Sequence, residues 1–491
     1  MFVDVMVRVA LATLIVGVVM LFGTWIYRIT LHPLAHIPGP KLAAMTKFYA
    51  MFWDWRPASS YIKNFAKWHQ QYGPVVRIEP NHVHILDIDA YNQVFQIGTK
   101  FYRDPALYSV PILRGGFFNK LHVREAKPHR DLYSPYFSRN AVKNLEPFIR
   151  DHLQVFLQRI DEMAANNDAI DLSLTTNLLG LYNRRTFKYQ MLEDLERFFD
   201  FSATQTGYIP TLATSLVDLA GRVPRPWLKS IPGLRAAFSN LDGCHKRVVE
   251  LRKETSAQQT PSVFRTALHP DLKKHQPVFN DKVLAADAFT IFTAGTDTTA
   301  HTLVTGTWYL LQDPSVMEQL RKELKSAIPD STDVSLTWSS LESLEYLTAV
   351  IKESLRLSYG VPGKLPRMVP PAGAELAGYR LPGGTALSMS CYIYHQHPAY
   401  FAEPEKFLPE RWLDREQAAS MEKYFMPFSR GSRGCIGQNL AWAELYYTFA
   451  FLFRRFQLEA FETTEADMEW HDAFVVATFG HLKVKARKLS S

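Results

Sequence analysis

From Asp281 to Gln312 the sequence DKVLAADAFTIFTAGTDTTAHTLVTGTWYLLQ contains no proline. Read as one helix it extends about 48 Å at 1.5 Å per residue, enough to cross a whole domain. Asp313-Pro314 supplies the stop. A chain with such a rod must pack its other elements around it. The middle of the rod, Ala294-Gly295-Thr296-Asp297-Thr298-Thr299, is nonetheless poor helix material: a glycine, β-branched hydroxyls and an aspartate. Threonine hydroxyls there bond back to helix carbonyls and bend the axis. A local opening in a central apolar helix is costly unless something uses it.

The remaining body also reads as mainly α with minor β. Val75–Ile78 and Val83–Ile88 alternate as a hairpin around Glu79-Pro80-Asn81. Ala374–Leu381 and Thr385–Ser390 form a second sheet fragment. No linker, repeat or charge run divides the 491 residues, of which 47% are hydrophobic and 21% charged. That balance, with 32 Phe, 22 Tyr and 10 Trp, fits one large core and an apolar ligand site. The formal charge of +7 leaves anionic lipid or an acidic protein as partners. No basic helix is dense enough for nucleic acid. Three cysteines, Cys244, Cys391 and Cys435, argue against a disulfide framework and for a reducing compartment.

Val9 to Tyr27 runs without a charge, roughly 28 Å as a helix, close to the hydrocarbon thickness of a bilayer. Trp25 and Tyr27 stand where an interfacial aromatic belt would lie. Arg28, Lys41 and Lys47 give the C-terminal flank its positive excess, which predicts a cytosolic body. The prolines of His32-Pro33-Leu34-Ala35-His36-Ile37-Pro38-Gly39-Pro40 predict a stiff, extended connector. The expected division is an anchor over 1–28, a hinge over 29–45 and a catalytic body over 46–491.

Phe428-Ser429-Arg430-Gly431-Ser432-Arg433-Gly434-Cys435-Ile436-Gly437 places three glycines around one cysteine, ahead of an apolar helix from Asn439 to Phe456. Glycines allow close backbone approach and positive φ. A cysteine at a helix N-terminus faces unpaired N–H groups, which favour thiolate, and thiolate is a soft iron ligand. A lone cysteine is otherwise most often a small buried hydrophobe.

Phe428, Gly431, Arg433, Cys435 and Gly437 match F-x-x-G-x-R-x-C-x-G, and the loop resembles the haem-binding signature of the cytochrome P-450 family. Ala294–Thr299 resembles that family's oxygen-activating motif, Glu353-Ser354-Leu355-Arg356 its E-x-x-R, and Pro409-Glu410-Arg411-Trp412 its P-E-R-[FW]. The order is the family's and the resemblance covers essentially the whole chain, with no motif between about Asp161 and Thr260.

The resemblance implies a cytochrome P-450 fold behind a single N-terminal transmembrane helix, and haem b ligated by Cys435. It implies a proton relay through Asp297 and Thr298, with Phe428 and Gly437 shaping the haem loop. Glu353, Arg356 and Arg411 would form a buried structural network. The haem carboxylates would meet Arg433, Arg367 and Arg130; Arg130 aligns with the arginine of [WH]-x-x-x-R, where Ala126 replaces the usual ring. Substrate contacts would come from Leu107, Tyr108, Val110, Ile112, Leu113 and Phe117, and from Val361, Phe474, Val475 and Phe479. The reaction implied is oxygen insertion into an apolar small molecule, a terpenoid or polyketide intermediate of fungal secondary metabolism. Electrons would come from NADPH–cytochrome P-450 reductase at the endoplasmic reticulum membrane. Peroxygenase, dehydratase or isomerase chemistry, and a non-catalytic haem sensor, are the alternatives.

Overall fold

A computed structural model describes residues 2–54, 56, 60–110, 113–173, 232–253, 263–269 and 277–489. The long helix runs from Asp281 to Gln312, the ends read from the sequence. Asn280 caps it by accepting from Val283 N–H at 3.0 Å, and Asp313 turns the chain out of it. Against it pack Pro232–Lys253, Pro314–Ala327, Glu345–Ser358 and Gln438–Arg455, and Arg139–Ala165 packs on Gln438–Arg455, with a core that includes Leu303, Leu320, Ile351 and Phe449. Gly306 marks the tightest crossing. A Cβ there would stand 2.2 Å from Ser354 Oγ and 2.5 Å from Phe449 Cζ. Any larger residue would push three helices apart.

A second core lies under the main sheet. Its strands are β1 (Val75–Glu79), β2 (His82–Ile85), β3 (Tyr102–Arg103), β4 (Arg367–Met368) and β5 (Ala386–Ser388), in the order β1-β2-β5-β4-β3. Only β2–β5 is parallel; the others are antiparallel. The first expected hairpin stops at Ile85 rather than Ile88. Asp87 accepts from Ala90 N–H at 2.7 Å and so starts a helix at Ile88. Ala374–Leu376 and Tyr379–Leu381 form a separate hairpin. The helix after the cysteine loop is Gln438–Arg455, one residue earlier than expected, because Phe456 already pairs with Lys488 in the C-terminal sheet.

The N-terminal helix Phe2–Thr30 buries no residue and is long and apolar enough to cross a membrane. The connector behind it is not extended. It turns back on β1, with Leu34 fully buried and Ile37 4% exposed. Arg77 explains the change: its Nη1 donates to Arg28 O at 2.8 Å and Leu34 O at 3.3 Å, and its Nη2 to Pro80 O at 2.7 Å. One buried guanidinium thus satisfies the carbonyls at the end of the helix and in the turn.

Candidate active site

A cavity of about 940 Å³ lies between the long helix and the cysteine loop. Its floor carries Phe428, Cys435 and Gly437, and its opposite wall carries Ala294, Gly295 and Thr298. The long helix stays α-helical through this stretch, without the opening expected from its composition. Thr298 donates its hydroxyl to Ala294 O at 2.9 Å, and Thr302 does the same to Thr298 O at 3.0 Å. The back-bonding is therefore present and is absorbed without a break. With its proton engaged on the backbone, Thr298 offers lone pairs to the cavity. Asp297 is half-buried and off the cavity wall, as a step of about 100° around the helix requires.

All three cysteines reach the cavity, and their surroundings separate them. Cys391 donates Sγ–H to Tyr359 O at 3.3 Å and Val361 O at 3.6 Å, and burial pushes its thiol up to about 12. Burial alone pushes Cys244 up to about 11. Cys435 presents its surface to the cavity, and its N–H donates to Phe428 O at 2.8 Å, closing the loop. Burial raises its thiol too, against the Gly437 N–H and the Arg130 guanidinium, both of which favour thiolate. Of the loop glycines only Gly431 takes positive φ, and a Cβ on it would sit 1.8 Å from Phe95 O. Gly437 needs neither device; a Cβ there would meet Cys435 Sγ at 4.0 Å.

Beside the floor stand four arginines, one more than the resemblance implies. Arg103 lies on β3 directly across from Arg367 on β4. Arg103 donates to Phe118 O at 2.6 Å, Arg130 to Gly434 O at 2.9 Å, and Arg367 to Tyr108 Oη at 3.1 Å and Leu365 O at 2.9 Å. Arg433 donates to Phe117 O at 3.3 Å and to Lys120 O. Among the described residues none of the four pairs with a carboxylate. Burial, and then the neighbouring guanidiniums, lower Arg433 to about 9; burial lowers Arg103 to about 10. The buried Nε atoms of both lack a partner. Like charges across a strand pair are destabilising, so the cluster fits a dianion: the two carboxylates of a haem would complete it. Arg103 had no local signal. It becomes visible only through its register opposite Arg367, a contact across 264 residues of chain. Ala126 is fully buried and brings no ring to the site.

The network behind the loop is complete. Glu353 accepts from Arg356 Nη2 at 2.8 Å and Nε at 3.0 Å, from Arg411 Nε at 3.1 Å, from Trp412 Nε1 at 2.9 Å and from Leu408 N–H at 2.9 Å. His395 ties it to the cysteine loop: Nδ1–H donates to Arg356 O at 3.0 Å, and Nε2 accepts from Met426 N–H at 3.1 Å.

Of the expected substrate contacts, Phe117 and Val361 line the cavity. Leu107, Tyr108, Val110 and Leu113 do not; Tyr108 is instead buried against Arg103, whose guanidinium lies 4.3 Å from its ring centre. Phe474 turns onto Phe118, Val475 is in the core, and Phe479 packs on His471 with 48% exposure. Ile112 lies outside the described residues. Much of the upper wall comes from Pro232–Lys253, including Asn240, Cys244 and Val248, where the sequence reading found no motif. The amphipathic face of that helix was the available signal.

Comparison with known proteins matches the family model Cytochrome P450 over residues 45–481. The chain is 33% identical to "Cytochrome P450 monooxygenase BOT1" of Botryotinia fuckeliana, over 94% of this chain and 93% of the relative. It is 34% identical to "Cytochrome P450 monooxygenase hkm5" of Aspergillus hancockii, over 96% and 94%. A third relative, 32% identical over 94% and 91%, is "Inactive cytochrome P450 monooxygenase cloA" of Claviceps fusiformis.

Proposed function

The chain belongs to the cytochrome P450 family and is a haem-thiolate monooxygenase, and on that premise we propose that Cys435 is the axial ligand and Asp297 and Thr298 carry the protons. The observation that carries this reading is one cavity with Cys435 in its floor and Thr298 in the facing wall, next to an arginine cluster that has no carboxylate partner among the described residues. Arg433, Arg367, Arg130 and Arg103 would hold the two haem carboxylates, with Phe428 and Gly437 shaping the loop under the ring. When bound, the haem supplies dioxygen activation, with the thiolate pushing electron density toward O–O cleavage. Thr298 accepts a hydrogen bond from a cavity water through its free lone pairs. Asp297, on the neighbouring helix face, holds and passes on a proton at its carboxylate oxygens. Glu353, Arg356 and Arg411 keep the loop in place and touch no substrate.

The substrate is an apolar small molecule, a terpenoid or polyketide skeleton of fungal secondary metabolism, in keeping with the predominantly apolar upper wall. One oxygen atom enters a C–H or C=C bond and the other leaves as water, with two electrons from NADPH through a separate cytochrome P-450 reductase. Residues 1–28 anchor the protein in the endoplasmic reticulum membrane, residues 29–45 join it to the body, and the catalytic domain of 46–491 faces the cytosol. Cys435→Ala should abolish the red-shifted Soret band of the reduced carbon monoxide complex, and Cys391→Ala should keep it. The reverse result would move the ligand to Cys391. A product screen with cosynthesised metabolites, in a host supplying the reductase, identifies the substrate.

A further inference from the structure

Seven residues before Ala294, the long helix buries a carboxylate that has no part in the chemistry above. Asp287 is completely buried. Its Oδ2 accepts from Tyr133 Oη at 2.9 Å and from His129 Nδ1 at 2.8 Å, both on the helix Val123–Tyr133. Its Oδ1 accepts from the main-chain N–H of Phe117 at 2.7 Å. His129 and Tyr133 are themselves 2% and 0% exposed. A buried carboxylate is costly unless its acceptor sites are filled; here three donors from two other segments fill them.

The Phe117 peptide is thereby held at both ends. Its N–H is fixed by Asp287, and its C=O accepts from Arg433, one of the arginines beside the cavity floor. The Phe117 ring lines the cavity and packs on Tyr133, with centroids 6.2 Å apart. Gly116 is fitted to the same contact: a Cβ there would lie 3.0 Å from Asp287 Oδ1 and 3.1 Å from Ala286 Cβ.

We propose that Asp287 is a positioning residue that sets where the Phe117 wall stands over the haem-binding face, and so what shape of molecule the cavity accepts. The proposal rests on the haem-thiolate reading above. Asparagine at 287 offers one acceptor oxygen for three donors, so the main-chain bond to Phe117 competes with His129 and Tyr133. The wall then loses its fixed place while the floor keeps its own contacts.

The test uses the full-length holoprotein and two nitrogenous probes titrated by their Soret shift. Imidazole needs only the iron; 4-phenylimidazole also needs the wall. Asp287→Asn should lower the affinity for 4-phenylimidazole relative to imidazole about tenfold. Phe117→Ala should lower the ratio similarly, and the double variant should add little to Phe117→Ala alone, since both act through one ring. Gly116→Ala, which keeps the carboxylate and all three donors, should shift the ratio the same way by roughly two- to threefold. A general loss of stability lowers haem content in all of these but leaves the ratio of the loaded fraction unchanged. The parent ratio in Asp287→Asn, or multiplicative effects of Asp287→Asn and Phe117→Ala, overturns the proposal. If Asp287→Asn fails to load haem, an unchanged ratio in Gly116→Ala overturns it. A parent without the thiolate carbon monoxide band removes the haem-thiolate reading, and the proposal falls with it.

Discussion

Among the described residues, two arginine clusters are of opposite kinds. Around Glu353, two arginines, a tryptophan N–H and a main-chain N–H converge on one carboxylate. The remaining Arg356 and Arg411 donors reach the carbonyls of His395, Pro404, Lys406, Ala402 and Glu403. Beside the cavity floor, Arg103, Arg130, Arg367 and Arg433 crowd together with no carboxylate among the described residues, and two Nε atoms stay unmatched. The first cluster is finished by the chain and serves the fold. On the proposed reading the second is finished by a ligand's charge. The same side chain therefore reads as structural or functional according to what closes its hydrogen bonds.

The sharpest way to break the comparison is to open the finished cluster. Glu353→Ala leaves two buried guanidiniums without their counter-charge, a cost of about 3–5 kcal/mol. Thermal unfolding and haem content should both collapse; a variant that loads haem normally would make the network dispensable.

Acid attacks the same cluster through His395. Burial, then the charge of Arg356, depresses its folded pKa to about 3, below the usual 6.5. Stability is then complete above pH 6.5 and is lost as pH falls from there toward 3, since the unfolded chain takes up the proton first. Between pH 6.5 and 5 this single residue removes about 2 kcal/mol. Denaturant midpoints across that range check it, and a flat profile would contradict the neutral, doubly bonded ring.

The unfinished cluster should answer with opposite signs. Arg433→Gln should weaken haem retention roughly tenfold, as expected for a lost charge-assisted hydrogen bond. Stripped of haem, the same variant should melt no lower than the parent, because one of four mutually repelling charges has gone. Haem transfer to an apoglobin acceptor measures the first, and calorimetry of the apoprotein the second. Loss of stability in both states would place Arg433 with the structural arginines.

The smallest effect on the fold should come from Thr298. Thr298→Ala removes one back-bonded hydroxyl from a continuous helix, so stability should change by less than about 0.5 kcal/mol. Oxygen consumption should persist while product per NADPH falls and peroxide rises. Full coupling in this variant would leave the hydroxyl with only its bond to Ala294.

The contrast also explains what could be read from the sequence. The finished cluster and the cysteine loop sit in short local patterns, and Glu353, Arg356, Arg411 and Cys435 were all named from them. The C-terminal end of the long helix was legible because Asp313-Pro314 stops it; the Asn280 cap emerges from the structure. Arg103 was not, because only the folding of β3 against β4 makes it a neighbour of Arg367. Nor was the upper cavity wall, because an amphipathic helix shows which residues are apolar and not which of them face a ligand. The substrate candidates near Phe474 failed for a related reason. A positive φ of 75° at Phe474 directs that residue to Phe118, which no spacing rule foresees.

The grip of Arg77 on the N-terminal helix has a mechanical consequence. With Arg77 bonded to Arg28 O and Leu34 O, and Arg28 bonded in turn to Met45 O at 2.5 Å, the junction is a bracket and not a tether. A bracket removes swivel. The twenty-nine residues of that helix meet the body as a lever meets its clamp, and the jaw of the clamp is one buried guanidinium on β1.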